Sequence, residues 1–211
     1  MNAPRLASRL SPGFIAAGLV ALVAALLLAW LFPLKNARTL GTHFFDAPVY
    51  ASFEALAAAS DAVVVGTVGG VTAREVDYGT DNPAEQGWNG IPVAFYEVDV
   101  TEVLVGQAQP TIIVGGPDGE QLVSDSATPM RAGERVLLFL REQTTEDAPG
   151  ISSYDFFYTP ISLDNGVFDL LAGEAVQPRM PEVFAETAAG AEVGDAPTFK
   201  LSEIRARVSG G

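Results

Sequence analysis

The chain has 211 residues, enough for one domain with an appendage and too few for two domains with separate cores. It contains no cysteine, which excludes disulfides, thiolate metal sites and a cysteine nucleophile. The first 46 residues carry four basic side chains and one acidic, whereas the rest carry 8 basic against 25 acidic, a field that repels phosphate backbones and excludes nucleic acid as a partner.

In chain order, the first element is apolar. Residues 14–32, Phe14 to Phe32, contain no charged or strongly polar side chain, and 19 residues of helix span about 28 Å, close to the hydrocarbon thickness of a bilayer. Trp30 and Phe32 sit where an interfacial aromatic anchor belongs, and Pro33 stops the helix. A cleaved signal peptide would have a shorter apolar stretch and a small-x-small site, but Pro33 to Arg38 offers no good Ala-x-Ala and includes Lys35. The expectation is an uncleaved signal-anchor that puts residues 14–32 in the lipid bilayer of the cell membrane as a single pass. Arg5 and Arg9 keep residues 1–13 in the cytoplasm, and the acidic domain is extracytoplasmic.

Residues 33–50 read as a juxtamembrane linker, followed by a folded region over 51–172 and an acidic tail over 173–211. Ser52 to Ala59 reads as one or two helical turns with Phe53 and Leu56 on one face. Ala62 to Val68 is a Val-rich strand of the kind buried on both faces, closed by Gly69-Gly70. From Tyr96 to Val105 a period of two points Tyr96, Val98, Val100 and Leu104 inward. Further strands are predicted at 111–114, 135–140, 153–159 and 167–171, with Asp164-Asn165-Gly166 as a hairpin turn between 161–163 and 167–168. Residues 74–92, rich in Gly, Asp and Asn, read as a long exposed loop, and Leu201 to Val208 as a short helix with Leu201, Ile204 and Val208 on one face. The predicted fold class is mainly β: a small barrel or sandwich of five to six strands with a short flanking helix, preceded by one transmembrane helix.

Four strings, taken in order, carry a resemblance: Ser60 to Val68, Val98 to Gly106, Gly133 to Leu140, and Asn165 to Phe168. Together they resemble a group of bacterial secreted or membrane-anchored domains with an OB-like barrel, similar in outline to netrin-like and tissue-inhibitor-of-metalloproteinase domains. The resemblance spans about residues 55–172 and implies a fold more than a function. Those inhibitors chelate the protease metal through an N-terminal cysteine, which this chain lacks, so that activity does not carry over. The scarcity of lysine, only Lys35 and Lys200, beside abundant Ala, Gly and Val fits a GC-rich bacterial coding sequence.

Chemistry-bearing residues are sparse. The sole histidine, His43, lies in the linker, away from any Ser-His-Asp or His-based metal site in the folded region. Asp77 with Asp81 and Asp118 with Glu120 are loop acids that could wrap calcium, but neither pair matches the twelve-residue calcium loop, and both read as solvated charge. Gly115 to Gly119 lacks the Gly-Lys-Ser/Thr ending of a phosphate loop and reads as a strand-connecting turn. Tyr78, Trp88 and Ile91 form the candidate interaction surface. These residues predict a non-enzymatic, membrane-anchored binding module without cofactor or metal, with an envelope protein as partner. The alternatives are a carboxylate-based hydrolase of envelope polysaccharide, which needs two converging acids, and a passive spacer.

Overall fold

Valine-rich and aromatic segments with alternating burial build most of the folded region, because β-branched side chains pack well on a pleated surface. The computed structural model describes residues 38–39, 50–78, 90–123, 129–179 and 197–209. Arg38 apart, these fall in a unit spanning Thr39–Gly211, divided from Met1–Arg38. Eight strands form one sheet: β1 (Ala62–Asp77), β2 (Ile91–Val105), β3 (Thr111–Pro117), β4 (Arg135–Thr144), β5 (Phe156–Pro160), β6 (Val167–Leu170), β7 (Ala175–Pro178) and β8 (Phe199–Lys200). Two short helices, α1 (Phe53–Ala58) and α2 (Leu201–Val208), pack on it.

The sheet order is β8-β7-β6-β4-β1-β2-β3-β5, and β5 pairs in addition with β4. Five strands, β4, β1, β2, β3 and β5, therefore close on one another as a partial ring. The β3–β5 contact is parallel and consists of one partnered pair, Val114 with Tyr158, while the other pairings are antiparallel. Closure sorts alternate side chains to two sides. Val64, Tyr96, Val98, Ile112, Val114 and Leu138 belong to one buried cluster, and Val63, Val65, Leu137 and Phe139 to another beneath α1, α2 and β6. Both faces of β1 and β4 are thus covered, which is why those strands read as continuous apolar runs.

The helical layer is fixed at both ends. The Ser52 hydroxyl accepts a hydrogen bond from the Ala55 amide (3.3 Å), an N-cap that contributes about 1 kcal/mol. Leu201, Ile204 and Val208 of α2 are buried on the face their spacing predicts. Arg207 lies 5.5 Å from the centroid of the Phe53 ring and donates to both oxygens of Glu54 (2.6 and 2.8 Å). That guanidinium, helped by Ser52, holds the Glu54 carboxyl down at about 2.

Several expectations are corrected. Gly69-Gly70 does not close a strand: the pairing of β1 with β2 shifts register between Val68 and Val71, and the strand continues through this bulge to Asp77. Residues 74–77 and 91–92 are consequently strand rather than exposed loop, paired out to Asp77 with Ile91. Further register shifts skip Thr101 and Leu104, so Leu104 packs with the helix-covered cluster and not beside Tyr96 and Val98. Asp164-Asn165-Gly166 is not a tight hairpin. Residues 163–166 form a turn of 3-10 helix, and β5 and β6 lie in line along one edge of β4. The hairpin fails because its two arms are claimed elsewhere: the Ile161 amide donates to the Phe139 carbonyl (2.9 Å), and Val167 and Phe168 pair with Leu138 and Leu137. The strand expected from Ser153 begins at Phe156. Within the expected tail, residues 175–178 and 199–200 add two strands, and Val176 is fully buried.

Among the described residues no helix is long and apolar enough to cross a membrane. The span expected over residues 14–32 lies outside them, as do His43, Asp81 and Trp88.

Candidate binding site

The ring is weakest between β3 and β5, for a reason the two strands carry themselves. Their ladder holds one pair, Val114 with Tyr158, and the strands end at Pro117 and Pro160, neither of which has an N–H to donate. A recess of about 180 Å³ opens there, with Ile91, Val93, Ile151 and Phe157 as its apolar wall and Asp77 and Asp147 as its acids. Among the described residues no lysine or arginine lines it.

Gly115 and Gly116 lie along this recess, and they differ. A Cβ on Gly115 would press on the Phe95 and Phe157 rings at 3.0 and 3.3 Å, so packing accounts for that glycine. A Cβ on Gly116 would meet nothing within 4 Å. Glycine inside a strand costs conformational entropy, and a bare strand position beside a recess lets another backbone or a ligand approach closely. The expected strand-connecting turn is corrected accordingly: Gly115 to Pro117 is strand, and only the residues after it turn.

The loop between β4 and β5, residues 145–155, forms one side and is held in place. The Thr144 amide and hydroxyl donate to Asp147 (3.0 and 2.7 Å), bonds that keep the Asp147 carboxyl below its ordinary range. Glu75, on β1, accepts from the Ser152 amide (2.8 Å), the Ser152 hydroxyl (3.1 Å) and the Ser153 amide (2.6 Å). Burial pushes the Glu75 carboxyl up, but the Ser153 and Ser152 bonds outweigh it and the net shift is downward. The Tyr154 hydroxyl donates to the Thr72 hydroxyl (2.7 Å), and Phe95 packs against Phe157 and Tyr154, both at 5.1 Å between ring centroids. A loop clamped this way loses little freedom on binding.

The residues singled out from the sequence divide as follows. Ile91 lines the recess and pairs with Asp77 at its rim; Tyr78 is half-buried just past the end of β1. Trp88 and Asp81 cannot be set beside them, lying outside the described residues. Asp118 and Glu120 do come together, around a guanidinium instead of calcium: Arg74 Nε donates to Asp118 (3.1 Å), and Arg74 also meets Glu120 (2.9 Å). Among the described residues no group of three or more His, Asp or Glu side chains could hold a metal ion. Sequence reasoning missed Gly116, Asp147 and the Glu75 clamp. Glu75 and Ser152 are 77 positions apart and carry no local signal.

Fold and recess together define a small, mainly β domain with a shallow, acid-rimmed apolar recess at the open seam of its ring. No protein-family model and no curated protein matches the chain.

Proposed function

We propose that the domain is a binding module, an OB-like barrel held on the outer side of the membrane by residues 14–32, whose ligand face is the β3–β5 recess. The strand order supports the OB-like reading. Running β1-β2-β3-β5-β4 and back to β1, with β3 parallel to β5, it follows the connectivity of that barrel, in which strands 2 and 3 and the loops after strands 1 and 4 receive ligands. The recess lies between the bases of those two loops, with Asp77 and Ile91 at the first and Asp147 in the second.

Gly116 is the observation that carries the reading, because among the described residues nothing lies within 4 Å of where its Cβ would be, at the edge of the recess. The ligand that suits an apolar recess rimmed by Asp77 and Asp147 is an extended segment of an envelope protein, with a basic residue beside a small apolar one. A carboxylate-based hydrolase is less well supported, since a general acid needs a raised pKa and Asp147 is shifted downward.

Gly116→Val places a side chain in open space, so the thermal midpoint should hold or rise. A photo-crosslinker at Gln143, in full-length protein in intact cells, should capture a discrete partner that this substitution removes. An unchanged crosslinking pattern would rule out the recess as the contact. A reporter fused at the C-terminus should be active only outside the cytoplasm, and cytoplasmic activity would refute the anchored orientation.

A further inference from the structure

A second cavity, of about 380 Å³, lies over one end of the inner core, between β1, β2 and the connection from β3 to β4. Tyr96 and Met130 belong both to that core and to the cavity lining, so the cleft is a mouth of the ring, a common place for small-molecule sites in barrels, and its volume is in their usual range. Three of its features are not accounted for by folding.

The first is Tyr96. Its side chain sits in the core with the residue only 4% exposed, yet among the described residues its hydroxyl has no hydrogen-bond partner. Among the described residues that hydroxyl is not one of the fully enclosed unpaired atoms, which are confined to Asn165, so it reaches the cleft. Burial, and then the nearby Asp118 carboxylate, push its pKa up and leave it a neutral hydroxyl across the physiological range.

The second is the way Arg74 is held. Asp118, 2% exposed in its side chain, accepts from Arg74 Nε (3.1 Å), the Glu120 amide (3.0 Å) and Gln121 Nε2 (2.9 Å), which engages both of its oxygens. A buried carboxylate so fully satisfied has little capacity left for a cationic ligand, and it sets a guanidinium in the cleft wall. The third is Arg131, exposed in the same lining, whose side chain has no ion-pair partner among the described residues. Arg74 is already paired with two carboxylates of the lining, Asp118 (3.1 Å) and Glu120 (2.9 Å), which leaves the Arg131 side chain and the Tyr96 hydroxyl as the lining donors without a partner among the described residues. Val71, Pro129 and Met130 supply apolar wall.

We infer that this cleft binds a small organic anion, its oxyanion head received by Arg131 and the Tyr96 hydroxyl and its apolar body lying on Val71, Pro129 and Met130. The arrangement is independent of the β3–β5 recess. Carboxylate and phosphate heads share the chemistry, and the domain's acidity favours the singly charged one.

Isothermal titration of full-length protein with benzoate, phenyl phosphate and benzamide separates the possibilities. Benzoate or phenyl phosphate should bind, and benzamide about tenfold or more weakly, because charge-assisted bonds are lost. Tyr96→Phe should weaken the anion about two- to tenfold and Arg131→Gln about tenfold, both with an unchanged thermal midpoint. Binding of neither anion, equal binding of benzamide, or wild-type affinity in both variants would overturn the assignment. A lowered midpoint in Tyr96→Phe would overturn it as well, since the hydroxyl would then have a structural partner.

Discussion

Phe139→Ala should lower stability by about 3–5 kcal/mol, the range for removing a fully buried aromatic ring. Phe139 is fully buried in β4, with its ring 6.2 Å from Phe53 and 5.5 Å from Phe168 between centroids. Phe53 in turn lies 5.5 Å from Phe168 and 4.9 Å from Phe199. Removing the Phe139 ring therefore takes the shared contact from under α1 and from beside β6. The void cannot collapse readily, because β4 is hydrogen-bonded to β1 on one edge and to β5 and β6 on the other. Urea denaturation measures the change, and a loss below about 1.5 kcal/mol would mean that the helical layer repacks and does not rely on a rigid aromatic cluster.

Gly106→Ala should cost roughly 2–4 kcal/mol by the same measurement, from two sources. Gly106 ends β2 with φ of +73°, where an L side chain adds about 1 kcal/mol, and an added Cβ would collide with the Asp61 carbonyl oxygen, which costs about 1–3 kcal/mol more. Asp61 cannot step aside easily: its amide donates to the Leu140 carbonyl (2.8 Å), and its carboxylate accepts from the Glu142 amide (2.9 Å). Gly133→Ala provides the control, since Gly133 has φ of +87° and open space where its Cβ would be. That variant should lose only the conformational part, about 1 kcal/mol. Equal losses at the two positions would show that the start of β1 is free to shift.

Strands β1 and β4 and both helices were legible because their signals are local. Val63 to Val65 and Val136 to Leu140 are apolar at every position, and Leu201, Ile204 and Val208 repeat at helical spacing, so short windows suffice. The bulges of β1 and β2 were not legible. Skipping Thr101 or Leu104 is decided by how two strands from different parts of the chain pair, and a bulge shifts alternation without changing composition. Of the recess lining, the sequence singled out Ile91 as part of an interaction surface and Asp77 as a loop acid; Tyr78 is not in the lining, and Gly116 and Asp147 join Asp77 only through the ring.

By itself the sequence determined composition-level and local properties: an uncharged run at residues 14–32, a strongly acidic remainder, no cysteine chemistry, and the positions where strands and helices begin to be favourable. Only the tertiary structure decided which strand edges meet, that β3 and β5 part after a single pair, and that Asp118 faces Arg74 44 positions away. The division has one physical cause. Propensity and burial patterns act over a few residues, whereas ion pairs, seams and clefts depend on closing long loops of chain, whose outcome is set by the whole core at once.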